Sequence, residues 1–133
     1  MDAELVGIAP LAPVHDLDAS VAFYRDVLGF RVVVDAPAHA HDMVARDGAR
    51  IGLQGGAGAE TLEATRRHIA AYVLGRDLDA LWGKIAPRCE ALNPDRFRAP
   101  FRQDYGVREL QLEDPDGFLM LFGEAADTNV EEP

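Results

Sequence analysis

The tetrapeptide Asp-Leu-Asp-Ala occurs twice in this chain, at Asp16–Ala19 and at Asp77–Ala80, an offset of 61 residues (77 − 16). Its surroundings repeat with it. Pro10-Leu11-Ala12-Pro13-Val14-His15 leads into the first copy and Ala71-Tyr72-Val73-Leu74-Gly75-Arg76 into the second. Each copy joins a strand-like run to a helix-like run. Self-similarity at a fixed spacing marks a duplicated structural unit, here two modules of about 60 residues. A chain built this way is expected to carry its working site where the two halves meet.

At 133 residues the chain is one domain's worth of protein and long enough to bury a real core. Its apolar content of 48% and charged content of 27% are those of a soluble globular protein. No apolar run approaches the roughly 20 residues that cross a bilayer. The start, Met1-Asp2-Ala3-Glu4, is acidic and unlike a secretory signal. The single cysteine, Cys89, excludes an internal disulfide and suits a reducing compartment, so a cytoplasmic location is expected. A net charge of −10 without a basic patch argues against nucleic acid and anionic membranes as partners. It serves solubility and is compatible with a cationic ligand.

Periodicity orders the elements. Val6 to Val14 is an apolar run whose prolines suit an edge or bulged strand. Asp16 or Asp18 can cap the following helix, where Ala19, Val21, Phe23, Tyr24, Val27 and Leu28 show helical spacing and Gly29 stops it. Phe30 to Val34 reads as a strand. Asp42–Arg46 and Arg50–Gln54 flank the turn Asp47-Gly48. Gly55 to Glu63 reads as the linker. In the second half, His68 to Leu74 reads as a strand, and Asp77 caps a helix to about Ile85 that Pro87 ends. Leu92 to Asp104 reads as a polar loop containing the weakest strand. Arg108–Glu113 and Phe118–Phe122 flank the turn Asp114-Pro115-Asp116-Gly117.

Two stretches carry a family resemblance. Val14-His15-Asp16-Leu17-Asp18-Ala19-Ser20-Val21-Ala22-Phe23-Tyr24-Arg25-Asp26-Val27-Leu28-Gly29-Phe30 resembles the first strand and helix of the vicinal oxygen chelate superfamily. That group includes glyoxalase I, bleomycin-resistance proteins, fosfomycin-resistance enzymes and extradiol dioxygenases. Tyr105-Gly106-Val107-Arg108-Glu109-Leu110-Gln111-Leu112-Glu113-Asp114-Pro115-Asp116-Gly117 resembles its last hairpin. The resemblance implies an α+β fold of two tandem βαβββ modules, with curved mixed sheets around a cleft and a homodimer as the assembly. It places module one at residues 4–55, a linker at 56–65, module two at 66–124 and a flexible tail at 125–133 of a single domain.

Metal-using members of that superfamily carry ligands on the first and last strand of each module. By the repeats and turns, the matching positions are Ala9, Gly52, Ala70 and Leu121. None has a side chain that binds a divalent ion, so no metal and no other cofactor is expected. His68 lies two residues before Ala70, on the same strand face. It is either a displaced ligand or a polar residue at the strand's entry. His39-Ala40-His41-Asp42 has metal-like content but reads as a surface loop. Cys89 has no activating base nearby in sequence and reads as a packed residue.

Strand parity then sketches a cleft wall of Ala9, Leu11, Gly52, Gln54, His68, Ala70, Tyr72, Glu109, Gln111, Leu119 and Leu121. The expected ligand-binding residues are Tyr105, Tyr72, His68, Glu109, Gln111, Leu121 and Gln54. Such a wall is mostly apolar with a few polar fixings, the composition of a pocket for a small organic molecule. Tyr105 either stacks on a flat or cationic ligand or anchors its loop on Pro100. Glu109 and Glu113 are either proton-transfer candidates or a solvated edge. Three readings stay open. One is metal-independent sequestration of an organic, cationic antibiotic-like ligand in a dimer cleft. Another is a lyase, isomerase or dioxygenase with an atypical or absent metal site. The last is a scaffold that holds no small ligand at all.

Overall fold

The computed structural model describes residues 3–68 and 70–124, with Arg67 and His68 as backbone only. Module one runs β1 (Leu11–Pro13), α1 (Leu17–Asp26), β2 (Arg31–Ala36), β3 (His41–Arg46) and β4 (Ala49–Gln54). After α2 (Ala59–His68), module two repeats the order with β5 (Ala70–Gly75), α3 (Leu78–Cys89), β6 (Phe97–Arg102), β7 (Arg108–Glu113) and β8 (Leu119–Glu124). Each module forms a four-stranded mixed sheet, ordered β1-β4-β3-β2 and β5-β8-β7-β6. The first strand of each is parallel to the last, and the other pairs are antiparallel.

The repeated tetrapeptide is a helix start in both places. The Asp16 carboxylate accepts from Ala19 N at 3.1 Å, and Asp77 accepts from Ala80 N at the same distance. Each satisfies a backbone donor that the first turn leaves open. Along α1, Ser20, Val21, Phe23 and Tyr24 are buried, the spacing of one helical face. Alternation in the sheets supplies the other side of the core. Ala12, Ile51, Leu53, Ala71, Leu110, Leu112, Met120 and Phe122 all pack inward. Their sequence neighbours Leu11, Gln54, Tyr72, Gln111 and Leu121 therefore point to the opposite sheet faces.

The modules are latched through α1 and the Asp114–Gly117 turn. Tyr24 Oη donates to Asp114 Oδ2 at 3.0 Å, and His15 N donates to Asp116 Oδ2 at 3.1 Å. Arg96 lies over the Phe23 ring, 5.4 Å from its centroid.

Four expectations need correction. The first strand is three residues long, because Pro10 and Pro13 offer no N–H to a ladder. Its pairing is extended only by Gly52 N to Pro10 O and Val14 N to Gln54 O, both at 2.9 Å. The linker is not featureless. Its glycine-rich part ends at Gly58, and the Ala, Glu, Leu and Arg residues that follow make α2, supported by a Glu63–Arg66 pair at 3.6 Å. His68 accordingly ends a helix, and β5 starts at Ala70. Helix α3 runs past Ile85 to Cys89 with Pro87 inside it. The carbonyl that Pro87 frees belongs to Gly83, and both residues are exposed, so water can satisfy it. Finally, the weak strand expected inside the Leu92–Asp104 loop takes up six of its residues, Phe97–Arg102, with an irregularity between Arg98 and Phe101 that accommodates Pro100. The tail expected at 125–133 lies outside the described residues.

Candidate functional site

The open face of the second sheet carries a carboxylate held by three donors. Glu109, on β7, is only 1% exposed although it lies opposite the helix-facing Leu110 and Leu112. Its Oε2 accepts from Tyr72 Oη at 2.8 Å and from Tyr105 Oη at 2.5 Å. Its Oε1 accepts from Gln103 Nε2 at 2.9 Å. Three parts of the chain thus meet: β5 supplies Tyr72, β7 supplies Glu109, and the loop between β6 and β7 supplies Gln103 and Tyr105. That loop closes on itself through Gly106 N to Gln103 O and Gln103 N to Val107 O, both at 2.8 Å, which presents Tyr105 over the strand.

The titration of the cluster follows from this geometry. Burial pushes the Glu109 carboxyl up, but the three donated hydrogen bonds outweigh it and hold the group below its usual value. Burial and the adjacent carboxylate push the Tyr72 phenol up to about 12. The hydrogen bond to Glu109 is the main cause of the rise at Tyr105. At neutral pH the cluster is one anion beneath two protonated phenols. Both rings stay accessible, Tyr72 at 45% and Tyr105 at 65% exposure. Tyr105 is therefore anchored by its hydroxyl on Glu109, with its ring free.

Room for Tyr72 comes from β8. A Cβ at Gly123 would run into the Tyr72 hydroxyl and ring. The first module has the matching device. Leu11 is the repeat partner of Tyr72 (72 − 61), and its Cδ2 lies 2.5 Å from where a Cβ on Gly52 would stand. Leu121 is the register partner of Tyr72 across β5 and β8. Gln111 lies on the same face as Glu109 and lines a smaller cavity of about 270 Å³ with Leu119.

Gln54 belongs to a separate patch on the first sheet. Its Nε2 donates to His39 O at 2.9 Å and Ala40 O at 3.3 Å, while the His41 ring approaches its Oε1 at 3.3 Å. The histidine segment, expected as a surface loop, is thereby tied to the open face beside Gly52, and Gln103 is the residue of the Glu109 cluster that sequence reasoning missed. Parity along β3 puts His41 on the same face as Met43. Gln103 follows β6, and no short-range pattern marks it. The side chain of His68 lies outside the described residues. Burial pushes the Cys89 thiol up, which leaves it unreactive.

Ala9, Gly52, Ala70 and Leu121, the positions that the resemblance matches to metal ligands, offer no donor side chain. Among the described residues, no group of three or more His, Cys, Asp or Glu side chains is placed to hold a metal ion. The described side chains do not fit such a centre. No helix is long and apolar enough to cross a membrane among the described residues.

The larger described cavity, about 820 Å³, runs along the free edge of β5 between the modules. Of the expected binding residues only Tyr72 lines it, so it does not coincide with the tyrosine–carboxylate cluster.

The family model for the Glyoxalase/Bleomycin resistance protein/Dioxygenase superfamily matches residues 7–122. Among solved structures, the chain is similar to a bleomycin resistance determinant encoded on the transposon Tn5, with 23% identity and a TM-score of 0.74, over 89% of this chain and 96% of that one. It is similar to the bleomycin-binding protein of bleomycin-producing Streptomyces verticillus complexed with copper(II)-bleomycin, with 21% identity and a TM-score of 0.74, over 94% and 100% of the two chains. A bleomycin-binding protein complexed with bleomycin matches at 22% identity and a TM-score of 0.73, over 90% and 98%. No curated protein matches the chain in sequence.

Proposed function

Because the chain belongs to the glyoxalase/bleomycin resistance protein/dioxygenase superfamily, we propose that it is a small-molecule-binding protein. It holds an organic ligand against the open sheet faces without a metal ion and works as a homodimer. The observation that carries this reading is the Tyr72–Glu109–Tyr105 cluster. A buried carboxylate with no cationic partner among the described residues lies beneath two accessible aromatic rings. A flat or cationic group can stack on the rings and gain from the charge beneath them. The net charge of −10 favours the same ligands at a distance. The likeness to bleomycin-binding proteins supports the reading and makes bleomycin the first probe.

A proton-transfer role for Glu109 is the weaker alternative. Both carboxylate oxygens already accept hydrogen bonds, and the group is held below its usual pKa, which makes it a poor base at neutral pH. The homodimer is supported by the segment before β1, where Leu5, Val6 and Ile8 are each more than 90% exposed. Three such side chains in solvent call for a partner surface.

The test is thermal unfolding with metal-free bleomycin, before and after treatment with EDTA. Ligand at a hundredfold excess over Kd stabilises by about 2.7 kcal/mol, a rise of roughly 5–10 °C for a domain of this size. The rise is expected to survive EDTA and to shrink in Glu109→Gln and Tyr105→Ala. An EDTA-sensitive rise would remove the metal-free claim. No rise with a folded protein would remove the bleomycin-type ligand and leave the fold assignment standing.

A further inference from the structure

The carboxylate of the cluster is charged, yet a ligand has no direct access to it. Glu109 is 1% exposed, and Tyr72, Tyr105 and Gln103 already donate to its two oxygens. Both phenol hydroxyls turn inward on Oε2, so what faces the solvent is ring. Neither ring packs against another aromatic ring among the described residues. Tyr105 stands over β7, two strands in from the outer edge of β5, so a dimer that covers that edge leaves its ring open. The nearby cations are engaged elsewhere. Arg108 donates to both Asp79 oxygens at 2.9 and 3.0 Å, and Arg102 donates to Gly106 O at 2.8 Å. Arg98 lies over the Phe101 ring, 3.4 Å from its centroid. Phe101 is the register partner of Glu109, and the irregularity in β6 turns it onto the same face. This face therefore already holds one weakly hydrated cation on an aromatic ring.

A cation placed here is attracted by the buried charge and by the ring faces, but it finds no carboxylate oxygen to donate to. A primary ammonium would shed water from three N–H groups without replacing those hydrogen bonds, which is costly. A quaternary ammonium has no N–H to leave unpaired, and its methyl groups pack on ring carbon. We propose that the Tyr72 and Tyr105 rings over Glu109 form a site for the quaternary ammonium group of an organic ligand and discriminate against primary ammonium groups. This rests on the ligand-binding function proposed above and narrows it from cations in general to cations without donors. The discrimination comes from the donors that the wrong ligand leaves unpaired. Asp104, next to Tyr105, is exposed, so a primary ammonium gains little by pairing with it.

The test is a nuclear magnetic resonance titration of the full chain at neutral pH with benzyltrimethylammonium, against benzylammonium and the neutral benzyl alcohol. The ring signals of the three tyrosines are the readout. Those of Tyr72 and Tyr105 are expected to move with benzyltrimethylammonium, and those of the buried Tyr24 to stay in place. Benzylammonium and benzyl alcohol are expected to bind at least about tenfold more weakly, the scale of a desolvated cation–ring contact. Glu109→Gln is expected to bring benzyltrimethylammonium down to the level of benzyl alcohol. Because Glu109 is buried, Tyr105→Leu on the exposed loop is the second variant, and it is expected to weaken benzyltrimethylammonium by about the same factor. Circular dichroism checks the fold of both. The proposal is overturned if benzylammonium or benzyl alcohol binds as tightly as benzyltrimethylammonium, or if folded Tyr105→Leu binds it unchanged. In those cases a small molecule still binds, and the function proposed above stands. The proposal is also overturned if none of the three compounds moves the tyrosine signals at millimolar concentration. The function it rests on then falls with it only if bleomycin also leaves the melting point unchanged.

Discussion

Gly123 decides where Tyr72 can stand. With no side chain there, the tyrosine lies across β8 and its hydroxyl reaches Glu109; any Cβ would push it away. Gly123→Ala is expected to break that hydrogen bond and to cost roughly 1–3 kcal/mol of stability from overpacking. The sign of the pH effect is fixed by the direction of the shift. The Tyr72 phenol is raised to about 12, so its contribution to stability is complete below the ordinary tyrosine value of 10 and is lost as pH rises through 12. Ultraviolet difference titration of the wild type should therefore show all three tyrosines ionising late, because Tyr24 and Tyr105 are raised as well. Tyr72→Phe should remove one of these steps, and Glu109→Gln should bring the Tyr72 and Tyr105 steps down toward 10 while burial keeps part of the rise at Tyr72. A titration unchanged in Glu109→Gln would refute the carboxylate as a cause of the shift. Sequence parity was enough to bring Tyr72, Glu109, Gln111 and Leu121 onto one sheet face. It could not reveal that Glu109 is buried, because the cover comes from Gln103 and Tyr105 on a loop whose path no periodicity encodes.

Between elements, the contact to test is the latch from α1 to the β7–β8 turn. Asp114 is 1% exposed and accepts from Tyr24 Oη, Asp116 N and Phe118 N. Burial dominates and raises its carboxyl to about 6, against the hydrogen bonds that oppose the rise. A carboxyl raised on folding favours the native state below its unfolded value, and that advantage is lost as pH climbs through the folded value. A shift of this size corresponds to roughly 3 kcal/mol lost between about pH 4 and pH 7. Asp114→Asn imitates the protonated form, with an amide that can face the Tyr24 hydroxyl. Denaturant unfolding of both proteins over that window should show the wild type losing stability relative to the variant as pH rises. A difference independent of pH would mean that Asp114 is not the titrating group. The helix caps behave more simply. Asp16→Ala should cost about 1 kcal/mol, read as a melting point lowered by a few degrees. Both caps were legible because a cap is a local signal of residue type and spacing. The lengths of α2, α3 and β6 were not. Gly55–Gly58 hides the helix formers that follow, Pro87 falls where solvent tolerates it, and β6 is a strand only because β7 lies beside it.

For the whole molecule, the duplication that organises the fold was the plainest thing in the sequence, and the assembly was the least plain, since it depends on surfaces outside one chain. The described residues leave Leu5, Val6, Ile8, Leu11 and Leu74 exposed, with the free edge of β5 beside them. Leu5, Val6 and Ile8 lie in one short segment, each more than 90% exposed, and an unpaired strand edge invites another chain. A two-fold pair of chains would cover both at once and set the open face of one sheet near that of another. Sedimentation at micromolar concentration is expected to give twice the chain mass. Replacing Leu5, Val6 and Ile8 together with Ser is expected to give the single mass without lowering the melting point of the chain itself, because none of the three touches the core. If the triple variant stays dimeric, the interface lies elsewhere, on the open sheet faces. If the wild type is a monomer, a ligand held at Tyr72, Glu109 and Tyr105 is bound by one chain alone, and its affinity should not depend on protein concentration.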